Sequence, residues 1–158
     1  MVGFQDRLPR VSCLGGGMEA FEKKVRDSFG RQLFMSTIGA KMISVGRGSV
    51  EIRFPFSLEL TQQNGFVHAG AVTSIMDSAC GYAALSVAPP DADVLSVEFK
   101  VNLLAPGVGE SFIARASVKR AGKRLAVCTA DAFAVRAGEE KLIATMLATI
   151  MNIDLKPR

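Results

Sequence analysis

Hydrophobic and polar positions switch between two periods along this chain, and the switches divide it into a helix, two strands, a second helix and four more strands. Met18, Phe21, Val25, Phe29 and Leu33 fall at helical spacing. Glu19 and Glu22 sit in the first turns, where carboxylates favour the helix dipole. The pattern predicts an N-terminal helix over about 18–33. Ile38 to Val45 reads as a strand, and Gly46-Arg47-Gly48 punctuates it. Val50, Ile52, Phe54 and Phe56 then alternate with Glu51 and Arg53, which makes the pair a hairpin. Gln62 to Gly70 is polar and contains glycine, hence a loop. Ala69 to Val87 is apolar on nearly every side and carries almost no charge except Asp77, the signature of a buried helix. Pro89 and Pro90 end it.

Four strand-like runs follow. Leu95, Val97, Phe99, Val101 and Leu103 alternate with polar residues, and Phe112 to Lys119 alternates as well. Leu125 to Val135 and Leu142 to Met151 are longer and more apolar. Pro106-Gly107, Ala121-Gly122 and Ala137-Gly138 mark turns between them. These short turns predict that the last four strands form an antiparallel meander. The whole reads as one α+β domain over 1–158 with a core at about 38–151, in which a curled antiparallel sheet buries a long central helix.

Composition narrows the function. The chain has 158 residues, of which 22% are charged, too ordinary a share for a disordered chain. Its longest apolar run, Leu142 to Met151, is about half of the roughly 20 residues that a spanning helix needs, so no membrane partner is expected. Met1 to Gly17 places Asp6, Arg7, Pro9 and Arg10 where a signal peptide would be apolar. Cys13, Cys80 and Cys128 are odd in number and widely spaced, which suits reduced thiols and a cytoplasmic location. With His68 as the single histidine, a structural zinc site lacks ligands, and no metal is expected. The net charge is +4, yet there is no Trp and one Tyr, so the stacking platforms of a nucleic-acid binder are missing. Arg120, Lys123 and Arg124 form a small basic cluster with Lys119. It suits either the phosphates of a nucleotide-tailed substrate or plain solvation at a strand turn.

Three features carry candidate chemistry. Asp77 is a lone carboxylate in an apolar helix, a costly placement unless it is paired or functional. His68 lies just before the helix start, where it can hold the loop or act as an acid or base. The helix N-terminus would offer the N–H groups of Ala69 and Gly70 to a developing oxyanion.

The run Asn64-Gly65-Phe66-Val67-His68-Ala69-Gly70 followed by Asp77 resembles the signature of the PaaI-type (phenylacetate-degradation) hotdog-fold acyl-CoA thioesterases. That signature has an amide residue, a Gly, then His-Gly-Gly, and an acidic residue nine positions after the His. Gly65 stands three before His68, and Gln62 six before it, where the family carries Asn or Gln. The resemblance extends from about Ile38 to Met151 and includes Ser96-Val97-Glu98-Phe99 and Pro106-Gly107. It implies a hotdog fold and hydrolysis of an acyl-CoA. The Ala69 N–H, aided by Gln62, would polarise the thioester carbonyl. Asp77 would be nucleophile or general base, with Ser96 orienting a water or standing as an ordinary outward serine. Asn64, Gly65 and Gly70 would shape the substrate loop. CoA belongs to the substrate, so no cofactor is implied. Ala69 replaces the family's usual Gly; it keeps the N–H and adds a methyl group near the carbonyl.

Ala69 and Asp77 are separated by eight helical residues, or roughly 12 Å of rise. A base or nucleophile must lie within about 3 Å of its target, directly or through one water. The two groups of one chain therefore cannot serve one carbonyl. Antiparallel helices in a symmetric pair would bring Ala69 of one chain beside Asp77 of the other, so a homodimer or a homotetramer is expected. Two rival readings remain at this stage: a hotdog dehydratase or hydratase that uses His68 as its base, and a non-catalytic acyl-CoA-binding module.

Overall fold

The computed structural model describes residues 18–154. The readings made on Met1–Gly17, Cys13 included, lie outside them. Within them the chain forms α1 (Ala20–Gly30), α2 (Leu33–Thr37), β1 (Lys41–Gly46), β2 (Ser49–Pro55), a 3-10 turn (Leu58–Leu60), α3 (Ala69–Leu85), β3 (Ala92–Leu103), β4 (Ser111–Ala121), β5 (Leu125–Arg136) and β6 (Glu139–Asp154).

The predicted helix over 18–33 is broken. Gln32 adopts an extended backbone, the N–H of Arg31 bonds back to the Ser28 carbonyl, and the N–H of Gln32 bonds back to the Phe29 carbonyl. The break lets Val25 and Met35 both reach the core, which one straight helix would not. The first strand starts at Lys41 rather than Ile38, because Ile38 closes α2 and Gly39 turns the chain at φ +70°. Side-chain alternation cannot see this shift, since the buried Ile38 fits either pattern.

The six strands form one antiparallel sheet in the order β1-β2-β4-β5-β6-β3. This corrects the expected meander. β4, β5 and β6 follow one another, but β3 pairs with the far side of β6, from Ala92↔Asp154 to Leu103↔Ala144. The segment after β3 does not fold back as a hairpin. Leu104 and Ala105 donate to the carbonyl of Ile143, and the Gly107 carbonyl accepts from the Val67 N–H. It therefore crosses the end of the sheet beneath the N-terminus of α3.

The sheet curls around α3. Ile75, Met76, Ala79 and Ala83 are fully buried against Ile52, Phe54, Phe112 and Ile150. Small residues on the inner face of the sheet, among them Ala114, Ala130, Ala132, Ala144 and Ala148, let the helix approach closely. One face of α3 escapes this burial: Gly70 is exposed, while Ala69, Thr73, Ser74, Asp77 and Gly81 are half-buried. That face carries the candidate chemistry. No helix among the described residues is long and apolar enough to cross a membrane.

Candidate active site

The loop before α3 is a built structure. Gln62 N–H donates to the Phe66 carbonyl at 2.8 Å, and Gly65 N–H donates to the Gln62 carbonyl at 2.9 Å. Gly65 holds φ +82°, a conformation that a side chain would strain. A bridge between Thr61 and Val67 closes the loop. The Gln62 side-chain oxygen accepts the Asn64 backbone N–H. The Gln62 amide nitrogen thus remains available, while Asn64 stays exposed and serves the turn.

His68 is the N-cap of α3. Its Nδ1 accepts from the Gly70 N–H at 2.8 Å, and its backbone carbonyl accepts from Ala71. The cap consumes one of the two donors expected at the helix start. Gly70 is not free to bind a ligand, because the imidazole already holds its N–H. A methyl group on Gly70 would come within 2.9 Å of His68 Nδ1, so this glycine is needed for the cap. The Ala69 N–H has no partner among the described residues. It faces a cavity of about 440 Å³ lined by Gln62, Phe66, Val72, Leu104, Pro106 and Ile143 among others. Leu103 to Gly107, which the sequence reading treated as strand end and turn, form one wall of it.

Asp77 opens into a different cavity, of about 360 Å³. Ser96 Oγ donates to Asp77 Oδ1 at 2.6 Å across the α3–β3 gap. The bond exists because a bulge between Ser96 and Glu98 turns Ser96 inward beside the buried Ile150. Ser96 is therefore not an outward strand serine. Gln32, Ser78 and Tyr82 line this second cavity as well. No periodicity or motif points to Gln32, which arrives here because of the break between α1 and α2.

The two halves of the expected site thus stand apart in one chain, Gln62 and Ala69 at one end of the exposed helix face and Asp77 and Ser96 further along it. Arg120, Lys123 and Arg124 are exposed at the β4–β5 turn and take part in no ion pair among the described residues. The register Leu125↔Met151↔Leu95 puts that turn at the Asp77 end of the sheet. Among the described residues, neither Cys80 nor Cys128 offers a rival nucleophile. Both are buried, and burial raises the Cys80 thiol far above its ordinary value and the Cys128 thiol to about 11. Among the described residues no cluster of His, Cys, Asp and Glu could hold a metal ion.

The family model of the thioesterase superfamily matches residues 64–140. A thioesterase family protein from Silicibacter pomeroyi of known structure is 52% identical, with 85% of this chain and 98% of that one covered, at a TM-score of 0.83. A Saccharolobus solfataricus protein named "Putative esterase" is 32% identical over 91 residues; the match spans 57% of this chain and 64% of that protein's length. The E. coli PaaI protein from the phenylacetic acid degradation operon shares the fold, with a TM-score of 0.76 at 18% identity over 85% of this chain and 94% of its own.

Proposed function

This chain belongs to the thioesterase superfamily, and from that premise we propose that it hydrolyses the thioester of an acyl-CoA with a small, aromatic or medium-chain acyl group. The observation that carries the proposal is the pairing on one helix of an open N-terminal N–H, at Ala69, with a carboxylate, at Asp77, that is oriented by Ser96. The Ala69 N–H and the Gln62 amide donate to the thioester carbonyl oxygen, where negative charge grows as the tetrahedral intermediate forms. Asp77 either attacks the carbonyl carbon or removes a proton from an attacking water. Attack by Asp77 expels the CoA thiolate and leaves an acyl–Asp77 anhydride that water then cleaves, whereas attack by water expels the thiolate directly; both routes end in a carboxylic acid and the CoA thiol.

The site is assembled from two copies of the chain. The roughly 12 Å of helix rise between Ala69 and Asp77 requires it, and β3 supports it. β3 is an edge strand with one row of backbone groups unpaired. Phe99 and Leu103 share their sheet face with the buried Ala148 and Ala144, yet remain 44% and 58% exposed in the single chain. A second copy packed on this edge covers both and lays its own helix alongside. In that assembly Arg120, Lys123 and Arg124 stand at the Asp77 end, within reach of CoA phosphates. A cytoplasmic location fits the CoA substrate.

A hydrolysis screen over an acyl-CoA panel, read by free-thiol detection, tests the proposal. Thiol release from a subset of the panel is expected. Release from none would leave a non-catalytic acyl-CoA-binding module as the better account. A second experiment removes the dehydratase reading. His68→Ala loses the cap of α3, which costs about 1 kcal/mol and lowers Tm by roughly 2–4 °C for a domain of this size. Because the imidazole orients the loop through Gly70, hydrolysis should fall only in part. Near-complete loss of turnover with the fold intact would instead mark His68 as a catalytic base.

A further inference from the structure

Thr73 stands halfway between the two halves of the site. It lies on the face of α3 that the sheet leaves uncovered, one helical turn, or roughly 6 Å of rise, from Ala69 and from Asp77 alike. A twofold axis that sets Ala69 of one chain level with Asp77 of the other treats both chains the same way. Each residue of one helix is then level with the residue of the other that lies equally far beyond the midpoint between 69 and 77. That midpoint is position 73, so Thr73 alone in α3 is level with its own copy.

The residue has the character that such a place requires. Thr73 is half-buried, and its Oγ1 makes no hydrogen bond among the described residues. A helical threonine can satisfy its hydroxyl on the carbonyl four residues back. Ser74 does this beside it, donating to the Gly70 carbonyl at 2.7 Å, whereas Thr73 leaves the bond unmade. Its neighbours on the uncovered face, Gly70, Ser74 and Gly81, are small enough for a second helix to come close. The edge strand allows the same axis. Ser96 is tied to Asp77 and Leu103 lines the Ala69 cavity, so β3 runs antiparallel to α3 along its uncovered face. Phe99 and Lys100 stand midway between Ser96 and Leu103, and Phe99 is among the exposed apolar residues on the α3 side of the sheet. One axis can therefore pass the middle of the helix and the middle of the open strand together.

We propose that Thr73 lies on the dimer axis against the partner's Thr73, and that this contact sets the register in which each Ala69 N–H faces the partner's Asp77. The two helices are closest at this point and diverge toward both ends, which leaves room for a thioester at each. The two hydroxyls can bond to each other, one donating and one accepting. Thr73 is a positioning residue, since it touches neither the substrate nor the reacting atoms. The inference rests on the two-chain thioesterase site and fixes where its axis passes.

Thr73→Cys in a Cys13→Ser background tests it. Diamide, which takes up the two electrons and two protons that disulfide formation releases, should turn most of the protein into a covalent dimer on a non-reducing gel. The link forms because the two Cβ atoms approach the roughly 3.5–4.5 Å that a disulfide spans. Gly81→Cys is the control on the same face: its two copies would stand roughly 24 Å apart along the helices and should not link. The linked Thr73→Cys dimer should hydrolyse acyl-CoA as fast as its reduced form. Thr73→Glu should run as a monomer on size exclusion and lose hydrolysis by about a hundredfold or more, because like charges meet at the axis. Refolded together with Thr73→Lys, it should form mixed dimers that regain at least about tenfold over either variant alone, as opposite charges then meet. No link at position 73, an equally fast link at position 81, or a linked dimer that has lost the activity of its reduced form would overturn the inference. So would a Thr73→Glu protein that remains an active dimer, or a mixture no better than its components. In each of these cases hydrolysis by the wild type keeps the thioesterase reading in place. If the wild type hydrolyses no acyl-CoA, the link at position 73 still decides the axis, and the thioesterase reading alone falls.

Discussion

Asp77→Asn should reduce acyl-CoA hydrolysis by about a thousandfold or more while leaving the fold in place, as positioned acid–base groups contribute about 10²–10⁴ in rate. The substitution keeps the size of the side chain and an oxygen that can still accept from Ser96 Oγ. It removes the negative charge that either attacks the carbonyl or draws a proton from water. The stability cost should be small: Asp77 is half-buried and makes no ion pair among the described residues, so no partner charge is stranded. Thiol release gives the rate, and a thermal melt checks the fold. Retention of more than a tenth of wild-type turnover at an unchanged Tm would remove Asp77 from the chemistry. Ser96→Ala should cost less than Asp77→Asn, because it frees the carboxylate to turn but leaves it charged.

That Asp77 could be singled out from sequence follows from the helix around it. In Ala69–Leu85 a single charge interrupts an otherwise apolar surface, and burial of such a charge is expensive enough to stand out. The same simplicity of pattern made α3, the β1–β2 hairpin and the strands of the β4–β5–β6 run legible. The place of β3 was not, because alternation fixes which face a residue takes and says nothing of which neighbour a strand chooses. That choice rests on backbone bonds such as Leu104 to Ile143 and on the Gly107–Val67 contact, to which side-chain patterning is blind. The helix N-terminus was half legible. Free N–H groups follow from helix geometry alone, but which one His68 consumes depends on the orientation of its ring. Gln32 was out of reach, since it joins Ser78 and Tyr82 from the opposite side of the cavity through a helix break that no periodicity announces.

Ala69→Pro isolates the other half of the site. Position 69 is the first residue of α3, where proline fits the helix and the missing N–H breaks no helical hydrogen bond. His68 precedes it at φ −64° and ψ 134°, the extended backbone that a following proline favours. The change therefore deletes the proposed oxyanion donor with little disturbance of the helix, and turnover should fall by about 10²–10³. Mixing then tests the shared site. When Ala69→Pro and Asp77→Asn chains are unfolded together and refolded at equal concentration, half of the dimers should be mixed. In each mixed dimer one site inherits both defects, and the other pairs an intact Ala69 with the partner's intact Asp77. Activity should recover to about a quarter of the wild-type level, far above either variant alone, if pairing is random and the two sites of the symmetric dimer are independent. A mixture that stays as inactive as its components, with mixed dimers demonstrated by a mass tag on one chain, would place both groups in one chain's site. That outcome would contradict the roughly 12 Å of helix that separates them.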